Sequence, residues 1–437
     1  MDRRRLLALA SATGLIVACG ETTPRESGST LNAETSTAEQ PPFTAVIPPH
    51  TSVAGAASRM RLPPQVLAAR EATLVAATPA DLRRADELRG MRWTTNFQIA
   101  SVPLSRLQTN DLERFRAYPI DVPRFDEIDE ANAFLDPREP VIQFTAGQTA
   151  RAYPLRFLVW HEIVNDEVEG RPILVTYDPR TNAARVVERR LLGAAMRFRA
   201  ADALDRGGRL LWDSLTQSWW RQFTGEAIVG DLTGLQLRPR PSLLVSYAEF
   251  RKAFPQGRVL DSRSRPERDD SADYGATNYP GYERRSDPPL SVNGTPDRRL
   301  PPTARVLALE VGGVAAAFAF DHLASERAIN VEVGGQPVVA LWSPGVLSVL
   351  DSPRIADSRD VGMAAAHGRE VRDRVLTFTF ADGVVRDRET GSVWSLSGRA
   401  LSGALAGAQL PPLVHNAPFW FAWAAHYPAT RLVTNPT

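Results

Sequence analysis

From residue 132 onward, short apolar runs separated by turn residues dominate the chain. "VIQFTA", "PILVTYD" and "ARVVERRL", and further on "VLALEV", "QPVVALW" and "VLTFTFA", are rich in β-branched residues and short enough for strands. Helical patterning is the exception. Residues 155–164 and 246–254, with their later counterparts, carry apolar positions at helical spacing. Tyr247, Phe250 and Phe254 followed by Pro255 fit an amphipathic helix stopped by proline, as do Trp420, Trp423 and Tyr427 followed by Pro428. Upstream, residues 60–92 predict a helical preface, in which Thr78, Pro79 and Asp81 supply an N-cap, a first-turn proline and an acidic first turn.

The pattern occurs twice. "GQTARAYPLRFLVWHEIVNDEVEGRPILVTYDP" (147–179) aligns without a gap on "GGVAAAFAFDHLASERAINVEVGGQPVVALWSP" (312–344), so that Asn165 falls on Asn330 and Gly170 on Gly335. Further on, Asp213, Trp220, Gly230 and Gly234 fall on Asp387, Trp394, Gly403 and Gly407. This predicts a β-rich α+β fold of two pseudo-symmetric lobes related by internal duplication, each with short strands and one or two helices. The expected organisation is a helical preface over 60–131, a first lobe over 132–260, a polar connector over 261–302 and a second lobe over 303–437. A connector of that length is expected to wrap a surface or line a site.

Charge adds little, with 51 basic against 50 acidic residues in a chain of 437, so no nucleic-acid partner is expected. Lys252 is the only lysine, an arginine bias that a GC-rich genome explains. The N-terminus is more informative. "MDRRR", a mostly apolar stretch over 6–18 and "IVAC" before Cys19 form the pattern of a lipoprotein signal peptide over 1–18, with Cys19 as the lipid attachment. Residues 19–59, rich in Thr, Ser, Glu, Pro and Ala, then serve as a disordered tether. The expected location is extracytoplasmic, at a membrane reached through the N-terminal lipid. Cys19 is the sole cysteine, so no thiol-bound metal, disulfide or cysteine nucleophile is expected in the globular part.

The segments "YPIDVPRF", "EPVIQF", "ARAYPL", "WHEIVND", "GRPILVTY", "DYG", "YPGY", "DRRLPP", "TGSVW" and "FWFAW", in that order, resemble the bacterial family known as domain of unknown function 3179. The resemblance implies an exported protein with a Cys-Pro-Leu-Cys element directly after the "VTY" strand, suited to metal or redox work. Here those four positions hold Asp178, Pro179, Arg180 and Thr181, so thiol chemistry at that place is lost or changed.

Candidate chemistry centres on "WHEIVND" (160–166). In a helix over 155–165, His161 would share a face with Asn165, and Glu162 with Asp166, both near the end of the "ILVTYD" strand. Three assignments fit: a helix end whose polar groups satisfy neighbouring backbone, a ligand or divalent-cation site built from His161, Glu162 and Asp178, or an acid–base pair. His161, Glu162, Asp166 and Asp178 face Glu326, Arg327, Val331 and Ser343 in the second copy, and such differences mark positions with a role in one copy only. Arg151 or Arg180 is expected to balance the carboxylates. No nucleophile-elbow serine and no His-Glu-x-x-His motif is present. His50, His322, His367, His415 and His426 are read as surface or core residues. Trp212, Trp219, Trp220 and "FWFAW" are read as core because they recur in both copies. The leading expectation is a non-catalytic ligand-binding or envelope-accessory module, with a metal-assisted enzyme using His161, Glu162 and Asp178 as the rival.

Overall fold

The structure, a computed structural model, describes residues 62, 64–91, 93–109, 118–267, 269, 271–286 and 296–433. The export segment, Cys19 and the tether lie outside the described residues. The described residues form one compact unit, β-rich with few helices and built from several small sheets. Among the described residues, no helix is long and apolar enough to cross a membrane.

In the first half, the strands Pro140–Ala146 and Thr149–Pro154 pair as a hairpin, and the crossover helix Leu155–His161 carries the chain onto a second sheet. That sheet is the antiparallel run Ile163–Val168, Arg171–Asp178 and Ala183–Glu188. A third sheet follows, containing Phe198–Asp205, Gly208–Asp213, Trp219–Arg221 and Ala227–Val229. Leu243–Ser246 then returns to the first hairpin, and Arg258–Leu260 joins its other edge in parallel. The same sequence of elements runs from Val306–Val311 to Arg431–Val433, including the final parallel strand. Registers agree as well: Val141 opposes Pro154 as Val306 opposes Ala319, and Ile163 opposes Thr176 as Ala328 opposes Leu341.

Side-chain ties recur with the registers. Asn165 clips the backbone of Phe198 through both amide atoms, and Asn330 does the same to Phe378. Asp213 accepts from Thr216 and from the Trp220 indole at 3.1 Å, and Asp387 accepts from Thr390 and from Trp394 at 2.8 Å. These buried bonds fix the turn before each Trp strand. Trp219 and Trp220 are fully buried, and Trp93 and Phe97 of the preface pack edge-on against Trp219.

Two expectations need correction. The helix predicted over 155–165 ends at His161, because Glu162 is left-handed (φ 59°) and residues from Ile163 onward form a strand. Asn165 and Asp166 therefore point to opposite faces of a sheet instead of extending helical stripes. The pairing of Ile163–Val168 with Arg171–Asp178 overrides the local helical spacing. The packing also does not separate the halves into two lobes. One core holds Ile142, Tyr153 and Phe157 together with Val306, Trp420 and Trp423, and another holds Val141, Val245 and Phe250 together with Leu341, Ala365 and Phe378.

Candidate functional site

The left-handed turn at the end of the crossover helix aims Glu162 inward, where its two carboxylate oxygens accept from Arg209 Nε and Nη2, both at 2.8 Å. Asp178, at the end of its strand and wholly buried, accepts from the backbone N–H groups of Arg209 (2.8 Å) and Arg180 (3.1 Å). Arg180 Nη1 lies 3.6 Å from Glu162 and 4.0 Å from Asp178, and its guanidinium covers the Tyr279 ring. Two carboxylates thus meet two guanidiniums. Burial alone would raise the Glu162 carboxyl, but Arg209 and Arg180 more than offset it and hold it below its ordinary value. For Asp178 burial wins, with the Glu162 charge adding to it, and its carboxyl is pushed up. Burial, with Glu162 alongside, pushes the Tyr279 phenol up to about 12.

His161 does not join this group. Its Nδ1 is 3.0 Å from the Tyr118 carbonyl, which can only accept, so the proton sits there and Nε2 accepts from the Tyr274 hydroxyl at 2.6 Å. Burial lowers the imidazole pKa, and both nitrogens of the neutral ring are used. Asp166 belongs to a third cluster, accepting from the Tyr153 hydroxyl at 2.6 Å and from Arg151, whose guanidinium lies over Phe125. The metal site expected from His161, Glu162 and Asp178 is therefore not assembled: their atoms are committed to other partners. Among the described residues, no three His, Cys, Asp or Glu gather as a metal-holding group.

The second half replaces these clusters. Arg327, at positive φ like Glu162, lies over Trp342 and Phe380. Arg151, Tyr153 and Asp166 give way to Ala316, Phe318 and Val331 in an apolar core. Arg209, the centre of the ionic group, was not anticipated from sequence. It lies in a hairpin whose strands have 8 and 6 residues, against 4 and 4 in the second half, so the repeat offers no counterpart to compare. The connector does line the region, through Asp269, Tyr274, Tyr279 and Tyr282.

A cleft of about 500 Å³ opens elsewhere, between the halves. The first half contributes Gln143, Thr145 and Thr149 of the opening hairpin, with Arg240, Leu243 and Phe254. Opposite stand Ala366, His367, Ser397, Arg399, Gln409 and His415. His367 Nε2 is 2.9 Å from the Leu396 carbonyl and His415 Nδ1 is 2.9 Å from the Leu413 carbonyl. A carbonyl only accepts, so each ring keeps its proton there. His367 Nδ1 and His415 Nε2 are left as buried lone pairs with no hydrogen-bond partner among the described residues. Burial pushes both imidazoles down to about 4, His367 adding to the effect on His415. Sequence reading passed over both, though one signal was present. In matched register, His367 opposes Val339 where Val187 opposes Leu174, a change of chemical type between the copies.

The profile of the family described as "Protein of unknown function (DUF3179)" matches residues 119–430. The chain belongs to this family. No curated protein and no solved structure matches it. The DUF3179 match takes in the ionic cluster, the described connector and every cleft residue named above, whereas the helix Pro79–Gly90 precedes it. In this DUF3179 chain the positions after the "VTY" strand are filled by the Asp178 and Arg180 arms of a charge-balanced brace.

Proposed function

We propose that the protein is an exported, lipid-anchored, non-catalytic binding module whose two similar halves arose by duplication and whose ligand occupies the cleft between them. The observation that carries this reading is the cleft itself. Its volume suits a small molecule, and its wall combines apolar and polar side chains in about equal measure. The repeated registers and the Asp213 and Asp387 ties support common descent of the halves. The "MDRRR" to Cys19 pattern supports the anchor and an extracytoplasmic location. The residues of the "WHEIVND" stretch serve as scaffold in this reading, since each polar group already has its partner inside the fold.

The test uses the full chain extracted from membranes in mild detergent. Mass spectrometry of the denatured extract should detect one small molecule per protein, retained in Arg180→Ala and lost in Thr145→Trp, which fills the cleft from an exposed position. An extract without a bound molecule, or one unchanged by Thr145→Trp, refutes the cleft assignment. A stoichiometric metal lost on His161→Ala would favour the enzyme reading instead. For the anchor, Cys19→Ser should leave unprocessed, unacylated precursor. Normal processing and membrane partitioning of that variant would refute lipidation.

A further inference from the structure

The charged residues of the cleft wall are of one sign. Arg240 and Arg399 line it, and among the described residues no aspartate or glutamate does. Arg240 is paired with Glu188 at 3.1 Å, outside the lining. The exposed Arg399 side chain makes no ion pair or hydrogen bond with the described residues, its backbone N–H alone donating to Ser395. The remaining polar wall is neutral: Gln143, Thr145, Ser397 and Gln409 carry amides and hydroxyls, and the unpartnered ring nitrogens of His367 and His415 lie buried behind it. A cation entering here would meet the like charge of two guanidiniums, and the rim carboxylate of Glu169 is already bound by the Thr149 hydroxyl. An anion finds a planar guanidinium, whose paired N–H donors match a carboxylate.

Resting on the reading of this cleft as the ligand site, we propose that its ligand is a small organic anion bearing hydroxyl groups, with the carboxylate held by Arg399 at the mouth and the hydroxyls by the neutral polar wall. Hydroxyls suit that wall because each both donates and accepts, answering its side-chain amides and hydroxyls alike. The imidazoles, held neutral by burial, add no charge to the wall. Apolar stretches such as Leu243 and Phe254 give such a molecule a face to lie on.

Three probes of one ring shape and different charge test this: D-glucuronate, D-glucose and D-glucosamine, titrated calorimetrically into the full chain in detergent. Glucuronate should bind about tenfold more tightly than glucose, the scale of one charge-assisted hydrogen-bond pair, and glucosamine more weakly than either. Arg399→Ala should bring glucuronate down to the level of glucose and leave glucose unchanged, while Thr145→Trp should abolish all binding. Equal affinity for glucuronate and glucose, with both lost in Thr145→Trp, overturns the anion assignment and leaves the binding cleft standing. Binding that survives Thr145→Trp, or no binding of any probe, overturns the assignment of ligand class to this cleft. Circular dichroism confirms that each variant is folded before titration.

Discussion

Arg209 is the residue on which the buried charges of the first half depend. It gives Glu162 both of its short hydrogen bonds and gives Asp178 a backbone donor, and the Arg209 and Glu162 side chains are only 8% and 6% exposed. Arg209→Met would keep much of the volume but leave Glu162 beside Asp178 with only Arg180, 3.6 Å away, and should cost about 3 kcal/mol in urea unfolding at neutral pH. Adding Glu162→Gln should return part of that loss, because the penalty lies in the under-compensated Glu162 charge. A second residue-scale prediction concerns His367. Its unfolded form takes up a proton near pH 6.5, but the folded form, pushed down to about 4, does not. Its contribution to stability is full above 6.5 and lost as pH falls from there to about 4, by about 1.4 kcal/mol per pH unit. Urea midpoints at pH 7 and pH 5 should differ less in His367→Gln than in wild type. Glu162 and Asp178 stood out in the sequence because the aligned positions of the second half hold Arg327 and Ser343. Arg209 was hidden by the extra hairpin length, and the partners of His161 by their distance along the chain, Tyr118 lying before the helix and Tyr274 in the connector.

At the level of elements, hairpins set the repeat, and their turns expose one weak point. The small hairpin of the first half turns at Leu192 and Gly193, both at positive φ. Its counterpart in the second half turns at Arg372 and Asp373, with φ of 50° and 60° and no glycine at the second position. Two-residue hairpin turns of this kind favour glycine there, since a side chain at positive φ is strained. Asp373→Gly should therefore raise stability by about 0.5–1 kcal/mol, visible as a higher thermal midpoint, whereas Gly193→Asp should lower it by a similar amount. Strand placement was readable because β-branched runs and turn residues alternate clearly. The helix end was not: residues 155–164 keep apolar spacing across His161, and only the pairing of Ile163–Val168 with the next strand decides that the helix stops. The helix Tyr247–Ala253 came out near its expected bounds, because Ser246 caps its start and Pro255 prevents continuation.

For the molecule as a whole, the decisive feature is that the repeated halves do not have separate interiors. The last helix, Trp420–His426, buries Trp420 and Trp423 in the core that holds Tyr153, Phe157 and Val175 of the first half. The Phe419 N–H donates to Thr181 O, and Asn182 Nδ2 reaches Ala417 O at 2.7 Å, so backbone of one half is satisfied by the other. Sequence similarity could not reveal this, because it records what the halves share and is silent on how they meet. A half cut away would expose large aromatic faces and unpaired backbone groups together. Residues 119–302 expressed alone should therefore show no cooperative urea transition, whereas the full chain should unfold as one unit across residues 119–433. Trp420→Ala is the finer test. It should cost about 3–5 kcal/mol, the range for emptying an aromatic core position. In hydrogen exchange the loss of protection should appear in Pro140–Ala146 and Arg171–Asp178 as well as in the second half. If protection fell only in residues 303–433, or if the isolated first half unfolded cooperatively, the halves would be independent domains and the cleft would lie between bodies free to move.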